Sequence, residues 1–86
     1  MRVSVEPTYE MTKLLKMDSF EVDIADAATV ADVFEKTRTK VGPEFDKLAR
    51  LAAIAVNGVL VNYQRGMKTP LADGDTIRFV KASAGG

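Results

Sequence analysis

The sequence predicts an α+β protein, a mixed sheet of about five strands with one main helix across one face. Strand-like alternation opens and closes the 86-residue chain, and one strongly amphipathic helical segment stands between two hairpin-like regions. Because strands and helices do not alternate throughout, the pattern favours α+β over a parallel α/β sheet. The 47% apolar content suffices for one compact core, and the length indicates a single domain.

The composition argues against an active site of the protein's own. Histidine and cysteine are both absent from the sequence, which removes the commonest general base, the thiol nucleophile and most zinc and iron–sulfur ligand sets. Twelve basic and twelve acidic residues cancel, so no net field would attract nucleic acid or an anionic membrane. There is no long apolar run and no signal-like N-terminus. We therefore expect a soluble cytoplasmic protein that binds no cofactor.

Two strands are predicted before the helix. Apolar and polar residues alternate over residues 1–6, and Pro7 ends this run because proline cannot donate to a strand ladder. A second alternation over residues 20–24 predicts a strand antiparallel to the first. The apolar residues within 8–18 show no clear period, and we interpret this stretch as a long hairpin loop that covers an edge or contacts a partner.

The main helix is predicted over residues 29–42. Thr29 and Asp32 have the spacing of a capping box, in which each side chain satisfies a backbone donor of the opening turn. Gly42, followed by Pro43, supplies the stop signal. One helix face carries the positions i, i+3, i+4, i+7 and i+11, namely Val30, Val33, Phe34, Thr37 and Val41.

A short turn and a hairpin are predicted after the helix. Residues 43–51 should form a second helical turn with Phe45 and Leu48 facing inward. The β-rich runs 53–56 and 59–63 are joined by Asn57-Gly58. Asn-Gly is the strongest short-range hairpin signal, because both central residues of a type I′ turn need positive φ.

The final strand is predicted over residues 76–81, after a loop over 64–75. The loop ends in Asp73-Gly74-Asp75, which is typical of a tight turn; a metal site would need several more oxygen ligands. A right-handed crossover lets this strand lie parallel beside the first, which gives the β-grasp arrangement. Period-two alternation turns Ile77 and Phe79 inward and Arg78 and Val80 outward.

The sequence ends on small residues, Ala84-Gly85-Gly86. Such side chains cannot build a core, so we divide the chain into a domain over residues 1–81 and a flexible tail over 82–86. Fully extended, the five tail residues reach about 17 Å. The carboxylate at Gly86 is ionised at neutral pH and is therefore a poor electrophile until it is activated.

Three runs in this order resemble the MoaD/ThiS family of ubiquitin-like sulfur carriers: Val56-Asn57-Gly58, residues 71–77 and the closing Ala84-Gly85-Gly86. The resemblance implies that an adenylating enzyme activates the Gly86 carboxylate with ATP, and that sulfur transfer then leaves a thiocarboxylate for a biosynthetic enzyme. The carrier itself would not be an enzyme. We expect the outward-facing end of the last strand to contact the partner enzymes through Arg78, Val80 and Lys81.

The receiving pathway stays open at this point. Molybdopterin synthase small subunits usually carry an aromatic residue, Pro-Pro and a bulky apolar residue where this chain has Val80, Lys81, Ala82 and Ser83. The acceptor could therefore be a molybdopterin synthase large subunit or an enzyme of thiamin, cysteine or tRNA thiolation chemistry. Two alternatives remain: a ubiquitin-like modifier joined through Gly86 to target lysines, and a β-grasp binding module whose tail has no chemical role.

Overall fold

The computed structural model describes residues 1–81, so the predicted tail lies outside the described residues. Within these residues, five strands and three α-helices follow one another. Two single turns of 3-10 helix, Val61–Tyr63 and Gly66–Lys68, lie between the last two strands. The order is β1 (Arg2–Glu6), α1 (Tyr9–Leu15), β2 (Phe20–Asp23), α2 (Val30–Val41), α3 (Glu44–Ala49), β3 (Ala52–Val56), β4 (Val59–Leu60) and β5 (Thr76–Lys81).

The strands form one mixed sheet in the order β2-β1-β5-β3-β4. β1 pairs antiparallel with β2 and parallel with β5, where Val5 lies opposite Ile77. β3 pairs antiparallel with both β4 and β5. The last strand of the chain therefore occupies the centre of the sheet beside the first, which confirms the predicted β-grasp fold.

Helix α2 begins and ends where the sequence predicts. The Thr29 backbone N–H donates to Asp32 Oδ2 at 2.8 Å, and the Thr29 hydroxyl donates to the same oxygen at 3.1 Å. At the other end, Gly42 has φ of 97°, and its N–H donates to the Arg38 carbonyl at 2.7 Å. The one hydroxyl on the buried face, that of Thr37, donates to the Val33 carbonyl at 2.9 Å.

Three phenylalanines join the helices to the sheet in the core. The ring of Phe45 on α3 lies 5.0 Å from Phe34 on α2 and 5.7 Å from Phe79 on β5, in an edge-on arrangement with the latter. Edge-on and tilted aromatic pairs stabilise a core beyond the area that they bury. Phe45 is thus the residue that ties α2, α3 and the central strand together.

The predicted hairpin loop over residues 8–18 is wrong, because the chain forms helix α1 there. Thr8 caps the helix by accepting the Met11 N–H at 3.2 Å, and Lys16 ends it in the left-handed region with φ of 60°. Met11 and Leu15 are both buried in the core. Their i, i+4 spacing places them on one helix face, and tertiary burial decides the structure of so short a segment.

After α2, one predicted element is confirmed and one strand is shorter than predicted. The segment 43–51 contains a helix, α3, with Phe45 buried and Leu48 partly buried as expected. The predicted strand 59–63 ends after Leu60, because the chain turns into a 3-10 segment and Val61 enters the core. The hairpin turn itself is confirmed, with positive φ at both central residues, Asn57 and Gly58.

Among residues 1–81, no helix is long and apolar enough to cross a bilayer.

Candidate functional site

The candidate site is the surface around the end of β5, from which the tail departs. Lys81 is the last residue of the strand and the last residue described. The predicted reactive residue Gly86 and its neighbours Ala84 and Gly85 lie outside the described residues. What the structure supplies is therefore the strand that ends at Lys81 and the surfaces on either side of its end.

Strand β5 turns alternate side chains to opposite faces of the sheet. Ile77 and Phe79 are buried against the helices, whereas Arg78 and Val80 lie on the other face, as the period-two pattern predicts. We call this second face, which points away from α2, the open face. Val80 is 39% exposed there, which is high for a valine in a central strand.

An apolar strip crosses the open face beside Val80. In the register of the sheet, Ala53 lies opposite Val80, and Ala55 lies between Arg78 on one side and Leu60 on the other. Strand β3 thus presents only methyl groups on this face: Ala55 is buried between its larger neighbours, and Ala53 is partly exposed beside Val80. Such a surface suits an apolar side chain of a partner, because burying exposed apolar area is favourable.

Ion pairs cover the rest of the open face. Arg78 Nε lies 2.8 Å from Glu6 Oε1 on β1, and Arg2 Nε lies 3.0 Å from Asp23 Oδ1 on β2. The hydrogen bond and the charge of Arg2 hold the pKa of Asp23 below its ordinary value, and the pKa of Arg2 is raised in return. The open face thus combines a paired, charged half with an apolar half.

Lys81 does not share the face of the other two predicted contact residues. It lies opposite Ala52, which packs against the core, so its side chain leaves on the helix side of the sheet. Its Nζ lies 3.7 Å from Glu10 Oε1 on α1. The sequence pattern did not predict a role for Glu10. The signal that could have located it is the cap residue Thr8, which marks the start of the helix that carries Glu10.

The turn before β5 fixes where that strand starts. Asp75 accepts hydrogen bonds from the Ala72 N–H at 2.8 Å and from Asn57 Nδ2 at 2.9 Å. Asn57 Oδ1 in turn accepts the Thr76 N–H at 2.9 Å. Asp73 accepts the Arg2 N–H at 2.8 Å. Asp75 therefore closes the turn and links the hairpin to the start of β5, whereas Asp73 joins the turn to the start of β1.

No cluster of three or more potential metal ligands, counting His, Cys, Asp and Glu, occurs within residues 1–81. What the described part of the site offers is a rigid central strand, anchored at its start by a hydrogen-bonded turn. Exposed side chains lie on both faces of the sheet near the end of this strand, Val80 on the open face and Lys81 on the helix side. Such an arrangement can bind a partner and present the segment that follows Lys81.

Solved structures with the same fold cover essentially the whole chain. The HVO 2177 protein of Haloferax volcanii is 27% identical, with a TM-score of 0.80 over 100% of this chain and 87% of its own. The small archaeal modifier protein 1 of Methanosarcina acetivorans is 19% identical, with a TM-score of 0.81 over 99% and 96%. A chain of the Amycolatopsis orientalis BexX/CysO complex is 23% identical, with a TM-score of 0.77 over 98% and 99%.

Sequence comparison identifies the family to which the chain belongs, in addition to its fold. A search of curated proteins gives no significant match. The sequence profile of the ThiS family, in contrast, matches residues 8–86 without leaving out the tail. The match includes the hairpin, the turn before β5 and the terminal glycines from which the resemblance was drawn. The chain therefore belongs to the ThiS family of ubiquitin-like sulfur carriers.

Proposed function

We propose that this protein carries sulfur as a thiocarboxylate at Gly86 and donates it to a biosynthetic enzyme. The observation that carries the proposal is the family match, which continues through the last residue of the chain. The fold supports it, because β5 lies at the centre of the sheet and ends at Lys81, five residues before Gly86. Which acceptor uses the sulfur, whether in molybdopterin, thiamin, cysteine or tRNA thiolation chemistry, is left open.

The proposed chemistry begins with the ionised Gly86 carboxylate. One carboxylate oxygen attacks the α-phosphorus of ATP on the activating enzyme, which releases pyrophosphate and leaves an acyl adenylate. Hydrosulfide, supplied by a donor at the sulfide oxidation level, then attacks the acyl carbon and displaces AMP, so that the chain ends in a thiocarboxylate and no reductant is needed. The carrier contributes position and no acid or base, because the partner enzyme binds and orients the reacting groups. Glycine suits the end because it has no Cβ to obstruct a narrow channel.

The partners would dock at the base of the tail. The matched Amycolatopsis orientalis chain is part of a BexX/CysO complex, which supports a carrier that works bound to another protein. We propose that Arg78 and Val80 contact the adenylating enzyme through the open face and that Lys81 contacts it from the other side. The sulfur-accepting enzyme would use the same base in turn, since both enzymes must reach the same carboxylate.

Reconstitution with the adenylating enzyme tests the proposal. The full chain is incubated with the enzyme, ATP and a sulfur donor, and its C-terminal peptide is analysed by mass spectrometry. We expect the mass change of one oxygen-to-sulfur exchange at Gly86. Gly86→Ala should abolish this change because the added Cβ would obstruct a narrow channel. One residue added after Gly86 should abolish it because the terminal carboxylate is then displaced. Normal thiocarboxylate formation by either variant would contradict the proposal.

A second candidate is a ubiquitin-like protein modifier, which would use the same adenylate. This candidate is supported by the fold that the chain shares with a protein named as a modifier, the small archaeal modifier protein 1 of Methanosarcina acetivorans. In that case a target lysine attacks the activated Gly86 and forms an isopeptide. Conjugates that appear in cells with the intact chain, and are missing when Gly86 is deleted, would support it. If deleting Gly85 and Gly86 left the cellular role intact, both candidates would give way to a simple binding module.

A further inference from the structure

A hollow lies on the helix side of the sheet, beside the point where the tail departs. It has a volume of about 140 Å³ and opens to solvent between the first turn of α1, the end of α3 and the ends of two central strands. Its floor and rim are formed by Thr8, Glu10, Leu48, Leu51, Ala52 and Lys81. Leu51 is 67% exposed at its edge, the largest exposed fraction of any leucine within residues 1–81.

We propose that this hollow is a second docking point for the enzyme that adenylates Gly86, and that it receives one apolar side chain of that enzyme. The inference rests on the proposed function and extends it. The enzyme would hold the base of the tail from both faces of the sheet, with Val80 on the open face and Leu51 on the helix side.

The length of the tail requires the enzyme to come this close. Five residues follow Lys81, and even fully extended they reach only about 17 Å. A specific interface buries on the order of 800 Å² on each partner, which corresponds to a patch extending roughly 16 Å from its centre. An enzyme surface centred on the tail exit therefore covers the hollow as well as Val80.

The chemistry of the hollow suits an apolar anchor. Leu48 and Ala52 pack against the core and form an apolar floor, and Leu51 adds an exposed wall. Glu10 and Lys81, whose charged groups are 3.7 Å apart, form a polar rim. Protein interfaces commonly place an apolar centre inside such a polar rim. The volume is close to that of a cavity of roughly 150 Å³ that accommodates benzene, so one aromatic or branched aliphatic side chain fits.

The backbone holds Leu51 in its exposed position. Helix α3 ends at Ala49, and the Leu51 N–H still donates to the Leu48 carbonyl at 3.1 Å. Ala52 then enters β3 directly opposite Lys81. The backbone of Leu51 is thus held between a helix end and a central strand, which fixes where its side chain begins. A surface that is already ordered loses less entropy on binding than a flexible one.

Three variants of the full chain test the hollow. Leu51→Asp places a charge in the proposed contact, Leu51→Met keeps an apolar side chain, and Val59→Asp adds the same charge at an exposed valine near the other end of β5. The dissociation constant for the purified adenylating enzyme is measured by calorimetry, and thermal unfolding checks that each variant is folded. We expect about tenfold or weaker binding for Leu51→Asp, as for a central interface residue. Leu51→Met and Val59→Asp should bind within about threefold of the unmodified chain.

The outcomes separate this inference from the function on which it rests. If folded Leu51→Asp binds the enzyme as the unmodified chain does, the hollow is not a docking point, although sulfur carriage is unaffected. Equal weakening by Leu51→Asp and Val59→Asp would also overturn the inference, because the effect would then be one of charge alone. If the unmodified chain neither binds the adenylating enzyme nor is charged by it, both the proposed function and the inference are wrong.

Discussion

The two faces of the central sheet differ although the same strands build them. On the covered face, Ile77 and Phe79 of β5 are buried among aliphatic and aromatic side chains from the helices. On the open face, Arg78 is paired with Glu6, and Val80 is left exposed beside a strip of alanines. The covered face is held together by buried apolar packing, which stabilises the fold strongly. The open face carries exposed ion pairs, which contribute little to stability, and apolar area that a partner can still bury.

This difference assigns separate roles to neighbouring residues of one strand. Substitutions on the covered face should destabilise the domain whether or not a partner is present. Substitutions on the open face should leave the domain folded and weaken its complexes. If the roles are separate, truncation of a covered residue should have the largest effect on stability, and a charge on the open face should affect binding alone.

The largest effect is expected from Phe45→Ala in the core. Phe45 is 1% exposed and contacts the rings of both Phe34 and Phe79, so its truncation leaves a cavity at the junction of α2, α3 and the sheet. Such a change costs about 3–5 kcal/mol, a large part of the roughly 5–15 kcal/mol by which a domain is stable. Urea unfolding followed by circular dichroism measures it.

A matched truncation on the open face is the control for this measurement. Val80→Ala removes an exposed side chain from the same sheet and should change the free energy of unfolding by less than about 1 kcal/mol. If Phe45→Ala cost no more than Val80→Ala, the covered face would not be the source of stability that its packing indicates.

How much of this fold the sequence could predict depends on how local the signals are. The start of α2 is signalled by the capping box of Thr29 and Asp32, and the hairpin by the adjacent residues Asn57-Gly58. Each signal spans only a few residues, and the helix start and the hairpin turn were both predicted correctly. Helix α1 has only seven residues, and so short a helix is stable only through the burial of Met11 and Leu15. That burial depends on α3 and the sheet, which the local pattern does not contain.

The candidate site, too, combines features set by local pattern with features set by the tertiary fold. The outward direction of Arg78 and Val80 follows from the period of a strand, and the structure confirms it. Glu10 and Leu51 could not be placed beside Lys81 from the sequence, because they come from α1 and from the end of α3, far apart in the chain. Contacts between distant segments require the tertiary fold.

A smaller effect, on binding alone, is expected from Val80→Asp on the open face. The substitution adds a charge to the apolar strip, where docking would bury it without a partner. We expect the affinity for the adenylating enzyme to fall about tenfold or more, while the free energy of unfolding changes by less than about 1 kcal/mol. Calorimetric titration and urea unfolding provide the two values. Unchanged affinity would mean that the open face near the tail is not part of the contact.

The smallest effect is expected from Asp23→Asn, which removes the carboxylate paired with Arg2 at the charged half of the open face. The hydrogen bond from Arg2 lowers the pKa of Asp23 below its ordinary value of 3.8 in the folded state. The ion pair therefore stabilises the fold above that pH, and its contribution is lost as the pH falls through the lowered, folded-state pKa.

Thermal unfolding of both proteins across this pH range measures the contribution. The unmodified protein should have a slightly higher Tm than Asp23→Asn near neutral pH, and the difference should disappear in acid below the folded-state pKa. High salt should also reduce it, because exposed pairs are screened. Asp18→Asn is the matched control, since Asp18 makes no ion pair within residues 1–81 and its substitution should give no comparable acid-dependent difference. If the difference for Asp23→Asn kept its full size in acid, the side chain would act through shape or hydrogen bonding, and charge pairing would contribute nothing measurable to this half of the open face.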